Sequence, residues 1–268
     1  MTVTDVGPHA VTAARTTRIA WVREAWIWVV VTLSFPLVAL LEPGDAAAAV
    51  DRAERIAATE RDLGFLAGPD LTALVARADP LRLAASVVYY GAHVPAVVAL
   101  FVWLGVRRPD DYRNVRRMFV AAQVMTIGLY LALPTAPPRL VPSLGGTDPR
   151  ASGAGWHVLQ YEFAAVPSGH VIFAAIVGAT LVRLGGPAVR VLGVLYPLLV
   201  VAVTVTTRNH FVTDALVGLL VVGIAVEVAR SGAPRHLTTV EQRDWAPDRS
   251  GSASAPSPAV APFESRSS

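Results

Sequence analysis

The chain has no cysteine. That absence excludes disulfides, thiolate metal sites and cysteine nucleophiles, and it leaves the redox compartment unreadable. Lysine is absent too: all 23 basic residues are arginine. Any contact to a phosphate must therefore use the guanidinium fork, which binds its oxygens bidentately; biased coding explains the same absence without any function. Charge of either sign is scarce, at 16% of residues against 53% hydrophobic, and the mean hydropathy is +0.49. A chain of this composition is a polytopic membrane protein rather than a soluble domain. The pI near 9.7 comes from arginines at the membrane flanks and in the tail. No basic patch is interleaved with aromatics, so nucleic acid is not an expected partner. There is no His-Glu-x-x-His motif and no internal repeat.

What is present is a series of apolar runs, each needing about 20 residues to cross a bilayer. Residues 1–24 form a polar lead with Arg15, Arg18 and Arg23. The first span follows from Ala25 to Leu41, with Trp21, Trp26 and Trp28 at its entrance as interfacial anchors. A cleaved signal peptide is the rival reading, but the run is long and rich in tryptophan. Pro43-Gly44-Asp45 breaks it, and Asp45 is placed to cap the next helix. Residues 43–79 are too charged to cross; an Asp51/Arg55 pair at helical spacing and the punctuating Gly68-Pro69 predict interfacial helices. A second span runs from about Leu81 to Val106 and holds His93, read as a packing histidine. The arginine-rich loop 107–117 is cytoplasmic by the positive-inside rule. A third span, about Val115 to Leu133, leads to a long outer loop over 134–167, which contains His157 and Glu162. Spans four to six begin at about Pro167, Val189 and Phe211. Residues 232–268 read as a disordered cytoplasmic tail. The expectation is an all-α bundle of six transmembrane helices within 25–231, with both termini cytoplasmic and the outer loops facing away from the cytoplasm.

That topology brings three motifs to the outer face: Pro137-Pro138-Arg139, Ser168-Gly169-His170, and Arg208-Asn209-His210 followed by Asp214. Asp214 stands four residues after His210, so on a helix it can reach the histidine ring. A carboxylate on one ring nitrogen fixes the tautomer and leaves the other free as nucleophile, base or ligand. Titratable groups inside a membrane segment usually mark function. His170 and His210 open helices, whose N-termini favour anions. Ser168 is a natural N-cap or phosphate donor, Gly169 admits close backbone approach, and Arg139 adds fixed positive charge.

Pro167-Ser168-Gly169-His170 followed by His210-x-x-x-Asp214 resembles the type 2 phosphatidic acid phosphatase superfamily of membrane enzymes. Three further stretches are similar to its inositol phosphorylceramide synthase and inositolphosphotransferase-like branch. They are Ala136-Pro137-Pro138-Arg139-Leu140, the lead-in Tyr161 to Pro167, and Asn209-His210-Phe211. The resemblance covers roughly 25–231. It implies that His210 attacks phosphorus to give a phosphohistidine, oriented by Asp214. His170 would protonate the leaving alkoxide and later deprotonate the water or alcohol acceptor. Arg139, Ser168, Gly169 and, near the histidine, Arg208 would hold the phosphoryl oxygens, with no metal or other cofactor. Ala132 stands where the superfamily has a lysine, and Thr204 where it has an arginine, departures read here as subfamily character.

The resulting expectation is an integral plasma-membrane lipid phosphatase or phosphotransferase with an outward-facing site. Its partners would be a lipid phosphate or phospholipid and, for transfer, an alcohol such as inositol. Two other classes stay open on the residues alone. One is a metal-dependent membrane hydrolase ligated by His170, His210 and Asp214, and the other is a lipid transporter or binding protein.

Overall fold

A computed structural model describes residues 21–41, 45–146 and 162–231, all within one compact unit, Met1–Ala233. The expected polar lead up to residue 20, the tail 232–268 and the centre of the outer loop, with His157 and Tyr161, lie outside the described residues. The described residues are helical apart from short connections. In order they are α1 (Trp21–Leu41), α2 (Ala46–Asp62), α3 (Gly68–Ala76), α4 (Asp79–Ser86), α5 (His93–Arg107), α6 (Pro109–Ala132), α7 (Gly169–Leu184), α8 (Pro187–Thr206) and α9 (Val212–Ser231). A π-helical turn, Val87–Ala92, joins α4 to α5.

Four of these helices, α1, α6, α8 and α9, are long and apolar enough to cross a membrane, and α4 with α5 makes a fifth if the pair is one span bent by 42°. The second span expected as one continuous helix is thus broken at the π turn. The stretch expected as the fourth span, α7, has 16 residues; it rises about 24 Å, short of the roughly 30 Å hydrocarbon thickness. Leucines and valines on α1, α8 and α9 are widely exposed, as helix faces turned to lipid would be.

Sequence signals account for many of the boundaries. The Asp45 carboxylate accepts from Ala47 N and Ala48 N and caps α2. Gly68-Pro69 opens α3, and prolines stand in the first turns of α4, α6 and α8, where the missing N–H costs nothing. α2 buries Ala49, Ala53 and Ala57 completely; small residues at every fourth position let its backbone settle onto Tyr130, Leu140, Phe163 and Phe211. Asp51 and Arg55 are both exposed and are not bonded to each other; their neighbours Arg52 and Glu54 instead reach Pro134 O and Ser143.

The larger core lies among α5, α6, α7 and α9 and contains Leu104, Phe119, Ile172, Ile176 and Val221. Trp28 joins it, against the expectation of an interfacial anchor. Its ring lies 4.4 Å from Phe101 and 5.2 Å from Phe119, and its Nε1 donates to Tyr112 Oη at 3.1 Å. Trp28 is only partly buried, and its N–H finds the partner that a packed tryptophan needs. Trp21 and Trp26 remain largely exposed. The expected arginine loop 107–117 reduces to Arg108, because α6 begins at Pro109. Arg116 instead binds the buried Glu24 of α1, and Arg183 binds Asp111.

α7 and α8 pack backbone to backbone. A Cβ on Gly178 would collide with the Gly193 carbonyl oxygen. Gly178→Ala should therefore destabilise the fold by about 1–3 kcal/mol, the usual cost of overpacking, whereas Gly223→Ala, with nothing within 4 Å, should have little effect. Thermal unfolding of the two variants in one detergent checks the difference.

Candidate active site

The chain enters the site through a pinned loop. Thr135 and Ala164 form a bridge in which Thr135 N donates to Phe163 O at 2.7 Å and Ala165 N to Thr135 O at 3.1 Å. Tyr130 Oη donates to Pro167 O at 2.9 Å, which fixes the residue just ahead of α7. Ser168, fully buried, caps α7: its Oγ accepts from Val171 N at 3.4 Å. Its own N–H donates to Asp214 O at 3.0 Å, so the first turns of α7 and α9 are tied together. The segments 163–172 and 209–215 contribute side chains to three separate apolar clusters, and that packing leaves little freedom to the polar groups between them.

His210 and Asp214 meet as their spacing predicts. His210 Nδ1 lies 2.9 Å from Ala165 O and 3.2 Å from Asp214 Oδ2. Both partners can only accept, so Nδ1 carries the hydrogen and Nε2 presents a lone pair. Asp214 Oδ2 also accepts from Phe211 N at 2.8 Å. The carboxylate is fully buried, and its Oδ1 has no hydrogen-bond partner among the described residues. The His170 and His210 rings face one another at 6.1 Å between centroids, inclined at 57°. That is too far for a direct hydrogen bond and close enough for one small group to touch both.

The two helix N-termini are not equivalent, contrary to the expectation that each offers an anion site. At α9 the donors are taken by protein carboxylates: Asp214 accepts from Phe211 N, and the buried Glu60 of α2 accepts from Thr213 N at 2.6 Å. Among the described residues no carboxylate reaches the first turn of α7. The start of α9 thus carries two carboxylates, whereas that of α7 carries only neutral partners, the Gly169 N–H meeting the Tyr130 hydroxyl and Val171 N the Ser168 Oγ.

The arginines also divide. Arg139 NH1 donates to Asn209 Oδ1 at 2.6 Å, and its backbone N–H to Arg208 O at 3.0 Å. Arg208 has φ 57°, the left-handed region that non-glycine residues rarely occupy. From there its NH2 donates to Leu144 O at 2.6 Å and Pro138 O at 3.2 Å. Part of Arg208 is therefore spent on holding the loop that carries Arg139, a positioning task the sequence did not suggest. Neither guanidinium is matched by a carboxylate among the described residues, so both charges remain available to an anion. Thr204, at the position where an arginine was expected by resemblance, is structural here: its carbonyl accepts from Asn209 N and His210 N, both at 3.1 Å.

A pocket of about 270 Å³ opens beside His210, lined among others by Glu60, Thr72, Pro138, Arg208 and Phe211. Glu60 escaped the sequence reading. It was detectable: it continues the buried stripe Ala49, Ala53, Ala57 by three residues, onto the same helix face. Asn209, which bridges Arg139 to Thr207 Oγ1 (2.9 Å from Asn209 Nδ2), had no such signal. No three His, Asp or Glu side chains among the described residues converge as a metal-holding group.

The described residues thus form a helical bundle with several membrane-length helices, in which two histidines bracket a gap and two arginines lie without a carboxylate partner. Residues 54–228 match the PAP2 superfamily, and the chain belongs to it. No curated protein and no solved structure matches the chain. Membership makes this a phosphatase-type enzyme acting on phosphoric esters.

Glu60 joins α2 to the start of α9. Glu60→Ala should cost about 1–3 kcal/mol, the range for leaving a buried polar group without its partner, and Glu60→Gln, which keeps an acceptor oxygen, should cost less. Thermal unfolding and residual activity of the two proteins check this ordering.

Proposed function

We propose that the chain is an integral membrane lipid phosphatase or phosphotransferase that works through a phosphohistidine at His210. The observation that carries this reading is the hydrogen-bonded His210, its Nδ1 occupied by Ala165 O and Asp214, facing His170 across 6.1 Å. Nε2 of His210 attacks phosphorus while the Asp214 carboxylate stabilises the positive charge that the imidazole acquires. His170 donates its proton to the departing lipid alkoxide. It then takes a proton from the second acceptor, which is water in hydrolysis and an alcohol such as inositol in transfer. Arg139, Arg208, Ser168 and the Gly169 N–H, which leaves the Tyr130 hydroxyl to do so, hold the phosphoryl oxygens and neutralise charge as it develops. No step requires a metal.

The substrate is a lipid phosphate or a phospholipid whose headgroup is joined through phosphate. The similarity of Ala136 to Leu140 and of Asn209 to Phe211 to the inositolphosphotransferase-like branch favours transfer as an additional capacity. In the bilayer the chain makes six crossings, with α7 as the short one, and α2 and α3 lie at the outer interface. The ends of α5, α7 and α9 carry Arg107, Arg183 and Arg230 and face the cytoplasm by the positive-inside rule. The site, at the opposite ends of α7 and α9, then faces outward from the plasma membrane.

Purified protein incubated with lipid bearing a labelled phosphate tests the mechanism. Wild type should carry acid-labile label at His210, His210→Ala should carry none, and His170→Ala should form the label about 10²–10⁴-fold more slowly, the usual contribution of a general acid. Turnover without label at His210 overturns the mechanism. Adding inositol should yield a phosphoinositol product; release of inorganic phosphate alone would restrict the reading to hydrolysis.

A further inference from the structure

His170 is held by a second group of residues that the mechanism above does not use. Its ring stacks on Tyr89 at 4.2 Å between centroids, with 17° between planes, and packs against His93 at 4.9 Å. The Tyr89 backbone is also a hydrogen-bond partner of the His170 ring. His93 is buried at 3% exposure, with Nδ1 2.9 Å from Tyr196 Oη and its ring nearly parallel to Phe173. Its Nε2 is buried with no hydrogen-bond partner among the described residues.

These contacts arise from the π-helical turn Val87–Ala92, which supplies Tyr89 and passes directly into α5 at His93. In a π turn the hydrogen bonds run i to i+5, so one extra residue is accommodated and the backbone carbonyls leave the α-helical ladder register. A carbonyl at such a break can serve a side chain from another helix. A continuous α-helix across 79–107 would place Tyr89 and His93 differently about its axis and would keep each carbonyl for its own ladder.

A role in packing alone accounts poorly for His93. An imidazole whose second nitrogen is buried without a partner carries a desolvation cost that phenylalanine at the same place would not. Against the rings of His170, Phe173 and Tyr196, phenylalanine would pack equally well. His210 offers the useful comparison. There a backbone carbonyl and a carboxylate share one ring N–H, which suits a group that must acquire positive charge. At His170 a backbone group and aromatic faces orient the ring without a carboxylate, which suits a group that must release its proton.

We propose that Tyr89 and His93 are positioning residues for His170, and that the π-helical turn is what brings them to it; this rests on the acid role given to His170 above. In the first step the N–P bond to His210 forms and the P–O bond to the lipid breaks. One proton passes from the imidazolium of His170 to the departing oxygen, and His170 becomes neutral. In the second step the acceptor gives that proton back to His170 as its oxygen displaces His210 from phosphorus. The other His170 N–H stays on the Tyr89 backbone throughout, and neither Tyr89 nor His93 changes its protonation. Their effect is on the direction and timing of the His170 proton.

The experiment compares two phosphate monoesters in the same detergent micelles, a long-chain alkyl phosphate and an alkyl-substituted nitrophenyl phosphate. The nitrophenolate departs with little help from an acid, while the alkoxide needs it. His93→Phe and Tyr89→Leu should lower kcat for the alkyl ester about 10- to 100-fold and for the aryl ester less than about threefold, a part of the 10²–10⁴ that general acids contribute. Tyr196→Phe, which removes only the hydroxyl that anchors His93, should show the same split at smaller size and serves if a larger change prevents folding. His170→Asn is the reference and should show the largest split. Equal losses on both esters, or no loss on either, in variants whose thermal midpoints match wild type would overturn the inference. A split in His170→Asn that none of the other variants shares overturns it while leaving the proposed function intact. Absence of a split in His170→Asn removes the acid role, and the positioning role with it.

Discussion

The hydrogen on Nδ1 of His210, shared between the Ala165 carbonyl and the Asp214 carboxylate, is the interaction on which the rest of the site depends. It requires that two segments far apart in sequence stop in register. Ala165 is held by its bridge to Thr135 at the end of α6. Asp214 is held by the bond from Ser168 N–H to its carbonyl and by the Phe211 N–H on its carboxylate. The orientation of one imidazole is therefore set by the ends of three helices.

Electrostatic asymmetry follows from the same packing. Two neighbouring helices start at the site, each with unsatisfied N–H groups and a positive dipole end. Glu60 and Asp214 occupy the start of α9, and nothing negative among the described residues occupies that of α7. Arg139 binds the neutral Asn209 instead of a carboxylate, and Arg208 binds two carbonyls. Both guanidinium groups therefore keep their charge at a point where most of the surrounding surface is apolar. A half-buried positive charge without a matching negative one is less favourable than a paired one and is relieved when an anion binds.

Rings rather than charges hold the other histidine. The break between α4 and α5 gives the protein a tyrosine ring, a backbone partner and a second imidazole beside His170. Tyr196 connects this group to α8, so the five helices from α5 to α9 all contribute to the site or to the residues that hold it.

Spacing within one helix and local chain chemistry were legible in the sequence. The i, i+4 relation of His210 to Asp214, the Asp45 cap, the Gly68-Pro69 boundary and the Ser168 cap all act over a few residues, and all stand in the structure, whereas four of the six expected apolar runs form helices of membrane length. The co-location of Arg139, His170 and His210 followed from alternating the runs across a membrane. What did not follow were properties that arise only when distant segments touch. The use of Arg208 to hold the loop at Pro138 and Leu144, the capping of α9 by Glu60 and the insertion of Trp28 into the core each involve residues more than 60 apart. The π turn at 87–92 is likewise invisible to periodicity, since Arg82, Ser86, Tyr89 and His93 keep ordinary α-helical spacing through it. The sequence by itself determined a membrane-embedded helical protein with a paired histidine and aspartate at a helix start. Which nitrogen is free, which helix start carries carboxylates and which rings hold His170 were decided only by tertiary contact, because each depends on contacts between segments that no local spacing relates.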